Sequence, residues 1–448
     1  MREPAFSLLA KPEPMSLSGR RVLMLGLGDT GLSVARWVVH SGGTPRVADT
    51  RASAPRQADY AGELRTGPLK AELLQGVDLV CVSPGLALDE PVVAEARHRR
   101  IPVVGDVELF AWQNKQQVLA ITGTNGKTTV TSLTGHLLRT AGVDCEVAGN
   151  IGPAVLDALM KRNAPPAVWV LELSSYQLET TWSLAPHAAT VLNVTEDHLD
   201  RYASLDHYAA AKARIFEGVA VQVLNRHDER VLAMARPGLT QISFGLDADG
   251  DWGIRGGLLV HRGRALIDVA SLAIRGAHNA ANALAACALA TTVDVEPEAL
   301  IAGLRTFRGL PHRMQLVGTR GGVEWYDDSK GTNIGATIAA LKGLAKPTIL
   351  ILGGDGKGQD FSALAPAVAQ YARRTFLIGR DAGRIESALA GLPTERCATL
   401  EEAVARAGAY ARPGDAVLLS PACASFDMFR DYKHRGEAFG EAFRRLPA

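Results

Sequence analysis

Short, continuous runs of apolar residues recur along most of the chain, separated by stretches with helical periodicity. Nine of these runs are rich in Val, Ile and Leu and are bounded by turn residues: RVLMLGLG, VDLVCVSPG, VLAITG, AVWVLELSS, AATVLNV, VAVQVLN, TILILGGDG, RTFLIG and DAVLLSP. Such runs are typical of strands that are buried on both faces of a parallel sheet. The pattern therefore predicts an α/β fold with mostly parallel sheets.

The order of these runs favours three structural units. The chain has 448 residues, which is more than one typical core holds. A first unit (1–105) starts at GRRVLMLG and closes near RIPVVGDVELF, and a second (106–309) starts at QQVLAITG and ends after the alanine-rich helix AHNAANALAACALA. A third unit (310–448) follows FRGLPHRMQ. We expect each unit to fold around its own sheet.

Polar and glycine-rich segments follow many of the predicted strands. They read GLGDTG, SPG, TGTNGKTT, ELSS, NVTEDH, GGDGKG and SPACAS. In open α/β sheets, ligands bind beyond the carboxyl ends of the strands. So many polar strand ends predict more than one ligand.

Composition and charge argue against a nucleic-acid-binding, a secreted or a membrane-spanning protein. Lys and Arg number 48 against 47 Asp and Glu, a net charge of +1, and no basic tract suggests a nucleic-acid partner. The five cysteines are scattered and odd in number, as in proteins that keep free thiols in a reducing compartment. No segment has the apolar length of a signal peptide or of a membrane span. We therefore expect a cytoplasmic monomer without a membrane or nucleic-acid partner.

The segment GLGDTG, from Gly26 to Gly31, follows the first predicted strand and opens a helix, and Asp49 ends the next strand. Glycines allow close backbone approach, a helix N-terminus holds phosphate, and an acidic residue can bind a ribose or a base. Three interpretations stay open for this segment by itself. It is a structural turn, a redox-cofactor site or the site of a substrate that carries a nucleotide.

The segment TGTNGKTT (122–129) lies between the strand VLAI and a helix. Its backbone amides can hold phosphates, Lys127 can neutralise them, and Thr128 or Thr129 can reach Mg²⁺. Ile121 stands where the usual loop has its first glycine. A purely structural turn would not need the Lys-Thr-Thr sequence, so the segment predicts a nucleoside-triphosphate site of a distinct type.

Glu172 and His198 are candidate metal ligands. Glu172 ends an apolar strand, where a carboxylate without a partner would be costly to bury. His198 closes the segment NVTEDH, next to Asp197, and a hard oxygen with an imidazole makes a reasonable Mg²⁺ site. A helix N-cap at Asp197 and a packed, neutral His198 are the structural alternatives.

Lys212 lies on the apolar stripe of the predicted helix in DHYAAAKARIFEG, four residues after Tyr208 and three before Ile215. A lysine that faces the core is less common than a solvated one. The alternative is a buried stem whose ammonium reaches water. If the ammonium lies inside, it would repel Mg²⁺.

Together these motifs resemble the Mur ligases of peptidoglycan synthesis. The resemblance rests on TGTNGKTT, GNIG, LELSSYQLE, NVTEDHLDRY, HNAANALAA, GLPHR, DDSKGTN, GGDGKG and LSPACASFDMFRDYKHRG, which occur in order over nearly the whole chain. It implies an N-terminal Rossmann-like domain for a UDP-linked substrate, a central P-loop-type ATPase and a C-terminal Rossmann-like domain for an amino acid. With GLGDTG and ADTR, it implies the ligation of D-glutamate to UDP-N-acetylmuramoyl-L-alanine with ATP and Mg²⁺.

The resemblance also implies roles for individual residues. The expected contacts to the UDP-linked substrate come from Gly28, Asp29, Thr30, Asp49, Thr50, Ser83 and Asn150. Those to ATP come from Gly123, Thr124, Asn125, Gly126, Lys127, Thr128, Thr129, Asn282, Arg313 and Asp328. Those to the amino acid come from Lys330, Thr332, Lys357, Ser425, Phe426 and Tyr432. The expected metal ligands are Thr128, Glu172, His198 and a carbamylated Lys212, and the expected catalytic residues are Lys127, Lys212, His198 and Arg313.

The implied reaction activates a carboxylate, which is by itself a poor electrophile. Phosphorylation by ATP makes an acyl phosphate, and the amine of glutamate then attacks the carbonyl carbon. The nearest alternatives are another Mur-type ligase and a folylpolyglutamate synthase-like ligase, which has a similar phosphate loop. An NAD-dependent dehydrogenase built on GLGDTG and a regulatory NTP-binding module are alternatives from other classes.

Overall fold

The computed structural model describes residues 5–198, 201–274 and 276–446. Within them the chain forms three separate sheets, one after another along the sequence. All nine apolar runs form strands in these sheets, which confirms the predicted α/β class. No helix in the described ranges is long and apolar enough to cross a membrane.

The first sheet is parallel throughout, with strand order β3-β2-β1-β4-β5. The strands are β1 (Arg21–Leu25), β2 (Thr44–Asp49), β3 (Glu63–Thr66), β4 (Leu79–Val82) and β5 (Val103–Val104). The helices of this region are α1 (Asp29–His40), α2 (Pro91–His98) and α3 (Asp106–Gln113). The strand order reverses between β1 and β4, the place where Rossmann-like sheets bind ligands.

The second sheet has nine strands in the order β14-β13-β12-β11-β10-β9-β6-β8-β7. The strands are β6 (Gln117–Thr122), β7 (Cys145–Gly149), β8 (Val168–Glu172), β9 (Ala188–Val191), β10 (Val221–Asn225), β11 (Thr240–Phe244), β12 (Trp252–Arg255), β13 (Leu258–His261) and β14 (Arg264–Asp268). Only the β12-β13 and β13-β14 pairs of this sheet are antiparallel. Because β8 and β9 flank β6, the loops that follow these three strands lie side by side.

The helices around the second sheet are α4 (Lys127–Thr140), α5 (Val155–Lys161), α6 (Ser175–Leu178), α7 (Leu205–Ala213), α8 (Glu229–Leu232), α9 (Ala277–Thr291) and α10 (Pro297–Thr306). Helix α4 follows β6 after a short loop and so begins next to the carboxyl ends of β8 and β9. Short 3-10 helices lie at Ala5–Leu8, Gln57–Asp59, Ala71–Leu74, Arg214–Phe216, Val269–Ser271 and Phe361–Leu364.

The third sheet has the order β15-β16-β20-β17-β18-β19 and is parallel except for the β15-β16 hairpin. Its strands are β15 (Gln315–Arg320), β16 (Val323–Asp327), β17 (Thr348–Gly353), β18 (Ala372–Ile378), β19 (Thr394–Arg396) and β20 (Ala416–Leu419). Its helices are α11 (Ile334–Leu344), α12 (Ala365–Tyr371), α13 (Ala382–Ala388), α14 (Leu400–Tyr410) and α15 (Tyr432–Arg445). The loops after β16, β20 and β17 meet at one edge of this sheet.

The first two sheets share one continuous buried core, whereas the third sheet is covered by clusters of its own. Buried polar contacts reinforce the junction between the first two sheets. The Glu108 carboxylate accepts hydrogen bonds from the backbone N–H groups of Trp182 (2.6 Å) and Ser183 (2.9 Å). The predicted boundaries at 105/106 and 309/310 stay predictions, but the strands of each sheet fall within one predicted unit.

Asp106 makes this junction sensitive to pH. Its carboxylate is buried and accepts a hydrogen bond from Gln177 Nε2 (3.2 Å), and burial raises the pKa of Asp106 to about 6 from an ordinary 3.8. A carboxyl whose pKa is higher in the folded than in the unfolded chain destabilises the fold once it ionises. The cost therefore grows from about pH 4 to about pH 6 and is complete at higher pH.

We predict that Asp106→Asn removes this cost. The variant should match the native chain near pH 4 and exceed its free energy of unfolding by up to about 3 kcal/mol above pH 6. Urea denaturation followed by tryptophan fluorescence from pH 4 to pH 8 measures the difference. Glu95→Gln, on helix α2, where the carboxylate is partly exposed and pairs with Arg99, is the control. Parallel pH profiles for Asp106→Asn and the native chain would contradict the prediction.

Candidate active site

The phosphate loop, Gly123–Gly126, joins β6 to α4. Gly123 and Gly126 have φ angles of +151° and +86°, and a Cβ on Gly126 would lie 2.5 Å from Asn282 Oδ1. The Lys127 ammonium folds back over the loop and donates to the carbonyl oxygens of Gly123 (2.9 Å) and Thr124 (3.0 Å). No side chain caps the N-terminus of α4, so its first amide groups keep their capacity to bind an anion.

A second lysine, Lys212, also contacts the phosphate loop. Lys212 is 1% exposed, and its ammonium donates to the Gly123 carbonyl oxygen at 2.9 Å while lying 4.3 Å from the centre of the Tyr208 ring. Helical phase made an inward-facing Lys212 one of two interpretations, and the structure shows it buried. Burial, followed by the charge of Lys127, pushes the pKa of Lys212 well below its usual value. Burial also lowers the pKa of Lys127.

Three of the four candidate metal ligands, Thr128, Glu172 and His198, line a cavity of about 220 Å³ in front of the loop, whereas Lys212 does not line it. Glu172, at the end of β8, accepts a hydrogen bond from Asn150 Nδ2 through Oε1 (2.8 Å), while its buried Oε2 has no partner among the described residues. A buried carboxylate oxygen without a partner is costly and fits a cation. His198 lines the same cavity, and burial lowers the pKa of His198, which favours the neutral imidazole that binds metals.

The protein supplies only part of a metal site. Within the described ranges, no three His, Cys, Asp or Glu side chains converge closely enough to hold an ion by themselves. Thr128 lines the cavity, and its Oγ accepts a hydrogen bond from Arg313 Nη2 at 2.5 Å. Mg²⁺ is commonly held by one or two carboxylates with phosphate and water oxygens. The arrangement therefore fits a hard divalent cation that arrives with phosphate.

A second cavity, of about 170 Å³, lies on the other side of the phosphate loop. The predicted ATP residues on its wall are Asn125, Gly126, Thr129, Asn282, Arg313 and Asp328. Its apolar wall, which sequence reasoning missed, includes Leu192, Phe244, Ile274, Leu310 and Met314. Burial raises the pKa of Asp328 to about 7. Apolar walls with a few amide groups suit a planar base.

A third cavity, of about 590 Å³, opens where the strand order of the first sheet reverses. Four predicted residues of the UDP site line it: Asp29, Thr30, Ser83 and Asn150. Sequence reasoning missed several other residues of the wall, among them Arg36, Arg56 and Gln177. Arg56 Nε donates to Asp29 Oδ1 at 2.5 Å. The cavity thus combines a helix N-terminus with cationic side chains, which suits phosphate.

Three residues predicted for the UDP site do not line this cavity: Gly28, Asp49 and Thr50. Asp49 is buried beneath the glycine turn, where Oδ2 accepts hydrogen bonds from the backbone N–H of Leu27 and from Arg51 Nη2, both at 2.7 Å. The hydrogen bond from Arg51 is the main cause that lowers the pKa of Asp49 to about 2. In this structure Asp49 therefore supports the turn that follows β1.

The predicted amino-acid residues divide into two groups. Lys330, Thr332, Lys357 and Tyr432 line the same 220 Å³ cavity as the metal candidates. The Lys330 ammonium lies 3.9 Å from the centre of the Tyr432 ring, and burial lowers the pKa of Lys330 to about 8. Ser425 and Phe426, on the loop after β20, do not line this cavity; Ser425 is 3% exposed and Phe426 is 74% exposed.

Other polar residues of the site gave little signal in the sequence. Gln177 forms a capping box with Ser174 at the start of α6. The Ser-x-x-Gln spacing of this box can be recognised in the sequence, but the position of Gln177 on the wall of the 590 Å³ cavity cannot. Asn333 caps α11 and donates to Asn125 Oδ1 at 3.0 Å, joining the third sheet to the phosphate loop. A cap residue is common, so its second contact could not be read from the sequence.

Family models match all three regions of the chain. The model described as Mur ligase MurD-like, N-terminal domain, matches residues 20–105, Mur ligase middle domain matches 121–290, and Mur ligase, glutamate ligase domain, matches 312–423. The chain belongs to the Mur ligase family. The Mur ligase models follow one another in the same order as the three sheets.

Individual Mur ligases resemble the chain over almost its whole length. The UDP-N-acetylmuramoylalanine--D-glutamate ligase of Aromatoleum aromaticum is 53% identical and covers 96% of this chain and 98% of its own. The protein of the same name from Nitrosomonas europaea is 51% identical with the same coverage.

Solved Mur ligase structures share the fold. UDP-N-acetylmuramate-alanine ligase MurC from Thermotoga maritima matches with a TM-score of 0.63 and 20% identity, over 95% of this chain and 99% of that one. MurF from Acinetobacter baumannii matches with a TM-score of 0.60 and 18% identity, over 96% of this chain and 92% of that one. At this identity the likeness concerns the three-domain architecture.

We predict that Glu172→Gln weakens divalent-cation binding because it removes the charge on the unpartnered Oε2. In the presence of ATP, the dissociation constant of Mn²⁺, measured by electron paramagnetic resonance, should rise at least about tenfold. The melting temperature without metal is measured in parallel, because Glu172 is also a counter-charge for Lys127 and Lys212. Glu146→Gln, on the adjacent strand β7, is the control, and unchanged Mn²⁺ binding by Glu172→Gln would exclude Glu172 as a ligand.

Proposed function

We propose that the chain is an ATP-dependent ligase that joins D-glutamate to UDP-N-acetylmuramoyl-L-alanine in the synthesis of peptidoglycan precursors. The observation that carries the proposal is that the three cavities are contiguous. Asn150 and Ile151 line both the 590 Å³ and the 220 Å³ cavity, and Asn125, Gly126, Arg313 and Lys330 line both the 220 Å³ and the 170 Å³ cavity. Such an arrangement suits three substrates whose reacting groups meet in the middle.

In the proposed first step, the L-alanine carboxylate attacks the γ-phosphorus of ATP and forms an acyl phosphate with release of ADP. Negative charge moves from the attacking carboxylate to the leaving oxygen, and positioning and electrostatic stabilisation dominate such transfers. Lys127 and Arg313 line the cavity where this charge would lie. Mg²⁺, held by Glu172, His198 and Thr128, would supply further positive charge to the phosphate oxygens.

In the proposed second step, the neutral amine of glutamate attacks the carbonyl carbon of the acyl phosphate. The tetrahedral intermediate collapses as the C–O bond to the phosphate breaks, and the proton lost by the amine leaves with the inorganic phosphate, so that the products are an amide and hydrogen phosphate. Lys330, Lys357 and Thr332 line the cavity on the side of the third sheet and suit an amino acid with two carboxylates. Water must be excluded from the acyl phosphate, and the Arg313–Thr128 and Asn333–Asn125 contacts bring the third sheet over the phosphate loop.

We further propose that Lys212 is carbamylated in the working enzyme. Burial favours its neutral amine, the form that reacts with carbon dioxide, and the carbamate would turn a buried cation into an anion beside the metal candidates. The Gly123 carbonyl oxygen, which accepts from both Lys127 and Lys212, would then have only the Lys127 ammonium as a cationic neighbour. A buried charge next to an opposite charge costs less than one next to a like charge.

The proposed function predicts phosphate release that requires all three substrates. With ATP and UDP-N-acetylmuramoyl-L-alanine, release should be at least about tenfold faster with D-glutamate than with L-glutamate. Lys127→Met should slow release with every amino acid, because it removes charge stabilisation of the first step. Faster release with a different amino acid would make the chain a sister ligase, and release without any amino acid would make it a hydrolase.

We predict that Lys212→Ala lowers kcat at least about a thousandfold and that added acetate or propionate restores part of the loss. A short carboxylate can enter the space that the side chain leaves and stand in for the carbamate. Steady-state phosphate release with and without the acid measures the effect. Lys212→Arg, which fills the space and cannot be carbamylated, is the control that should not respond; a fully active Lys212→Ala enzyme would contradict the assignment.

A further inference from the structure

Arg201 connects the segment that carries His198 with the wall of the 590 Å³ cavity. It follows His198 by three residues, and its backbone N–H donates to the His198 carbonyl oxygen at 3.0 Å. Its guanidinium reaches the other way, where Nη1 donates to the Pro84 carbonyl oxygen at 3.1 Å. Pro84 lies between Ser83 and Gly85, and all three residues line the 590 Å³ cavity. Arg201 itself lines neither of the cavities that it joins.

The guanidinium is held in one orientation by three different contacts. Besides the bond to Pro84, Nη2 donates to Glu179 Oε2 at 2.7 Å, and the planar group lies 4.2 Å from the centre of the Tyr176 ring. The side chains of Arg201 and Glu179 are 14% and 5% exposed, so solvent screens their attraction weakly. A lysine has one ammonium nitrogen in place of the planar guanidinium, so it cannot place two separate nitrogens on Pro84 and Glu179 with a flat face on the Tyr176 ring.

The contacts continue from Tyr176 to the metal candidates. The Tyr176 ring packs edge to face with the His198 ring at 4.9 Å between centres, and the His198 ring packs against Tyr208 at 6.0 Å. Tyr208 in turn lies under the Lys212 ammonium, which donates to the Gly123 carbonyl oxygen. A continuous series of contacts thus connects the Pro84 loop to His198 and to the phosphate loop.

We propose that Arg201 is a positioning residue that couples occupancy of the UDP-substrate cavity to the geometry of the candidate metal site. The inference deepens the proposed function and rests on it. A ligand that binds against Ser83 and Gly85 fixes the Pro84 carbonyl oxygen, and with it the guanidinium, Tyr176 and the His198 ring. Substrate binding thus orders the metal site before phosphoryl transfer begins, which limits idle hydrolysis of ATP.

The coupling is measured as a change in metal affinity. For the native chain with ATP, we expect saturating UDP-N-acetylmuramoyl-L-alanine to lower the dissociation constant of Mn²⁺, followed by electron paramagnetic resonance, about fivefold or more. In Arg201→Lys, the UDP-substrate should lower the dissociation constant of Mn²⁺ by less than about twofold. Affinity for the UDP-substrate without metal, from calorimetry, should change less than the coupling does.

Arg214→Lys is the matched control. Arg214 is 13% exposed on its side chain and donates to the carbonyl oxygens of Leu178 and Thr181, both at 2.7 Å, so it braces the same segment without touching the Pro84 loop. It should keep the full coupling. Loss of coupling in Arg214→Lys to the same extent would show that Arg201 acts only through stability, and melting temperatures of both variants complete that comparison.

Two outcomes separate this inference from the proposed function. A native chain that forms the amide but shows no effect of the UDP-substrate on Mn²⁺ affinity, or an Arg201→Lys variant that retains the native factor, overturns the role of Arg201 and leaves the ligase proposal standing. A native chain that neither binds the UDP-substrate nor releases phosphate with it overturns both.

Discussion

One carbonyl oxygen, that of Gly123, accepts hydrogen bonds from two lysines, the half-buried Lys127 and the buried Lys212, and the rest of the candidate active site is arranged around this contact. Two like charges this close in a poorly solvated region raise the free energy of keeping each other ionised. Lys127 therefore supplies the positive charge that attracts a phosphate, whereas burial and the neighbouring Lys127 favour a neutral Lys212, and the surrounding fold must support both side chains. The Tyr208 ring beneath Lys212 and the carbonyl oxygens above Lys127 provide that support.

The second sheet places a counterpart opposite this charge. Because β8 and β9 flank β6, the Glu172 carboxylate and the loop with His198 face the phosphate loop. Glu172 uses one oxygen to hold Asn150 and leaves the other buried without a partner among the described residues. Cations lie on one wall of the cavity and an unsatisfied anion lies on the other. A phosphate with its divalent cation satisfies both walls at once, which neither ion does alone.

Two of the three sheets share a core, and the third contributes residues to the 220 Å³ cavity. The first two share a buried core, which connects the part of the fold that carries the 590 Å³ cavity with the part that carries the phosphate loop. The third sheet reaches the loop through polar pairs such as Arg313–Thr128 and Asn333–Asn125. Polar pairs exchange with water more readily than a packed core does. Membership of the Mur ligase family fits this division, since a ligase must admit three substrates and then exclude water.

The amino-acid sequence by itself determined the features that depend on neighbouring residues. Apolar runs determined the strands, glycines with positive φ determined the shape of the phosphate loop, and helical phase offered an inward-facing Lys212 as one of two placements. The tertiary structure alone decided which distant groups meet. It brought Arg313 to Thr128, directed Asp49 to the glycine turn, and left Ser425 and Phe426 outside the central cavity. Local periodicity and backbone preference act over a few residues, whereas these contacts depend on strand order and on the packing of one sheet against another.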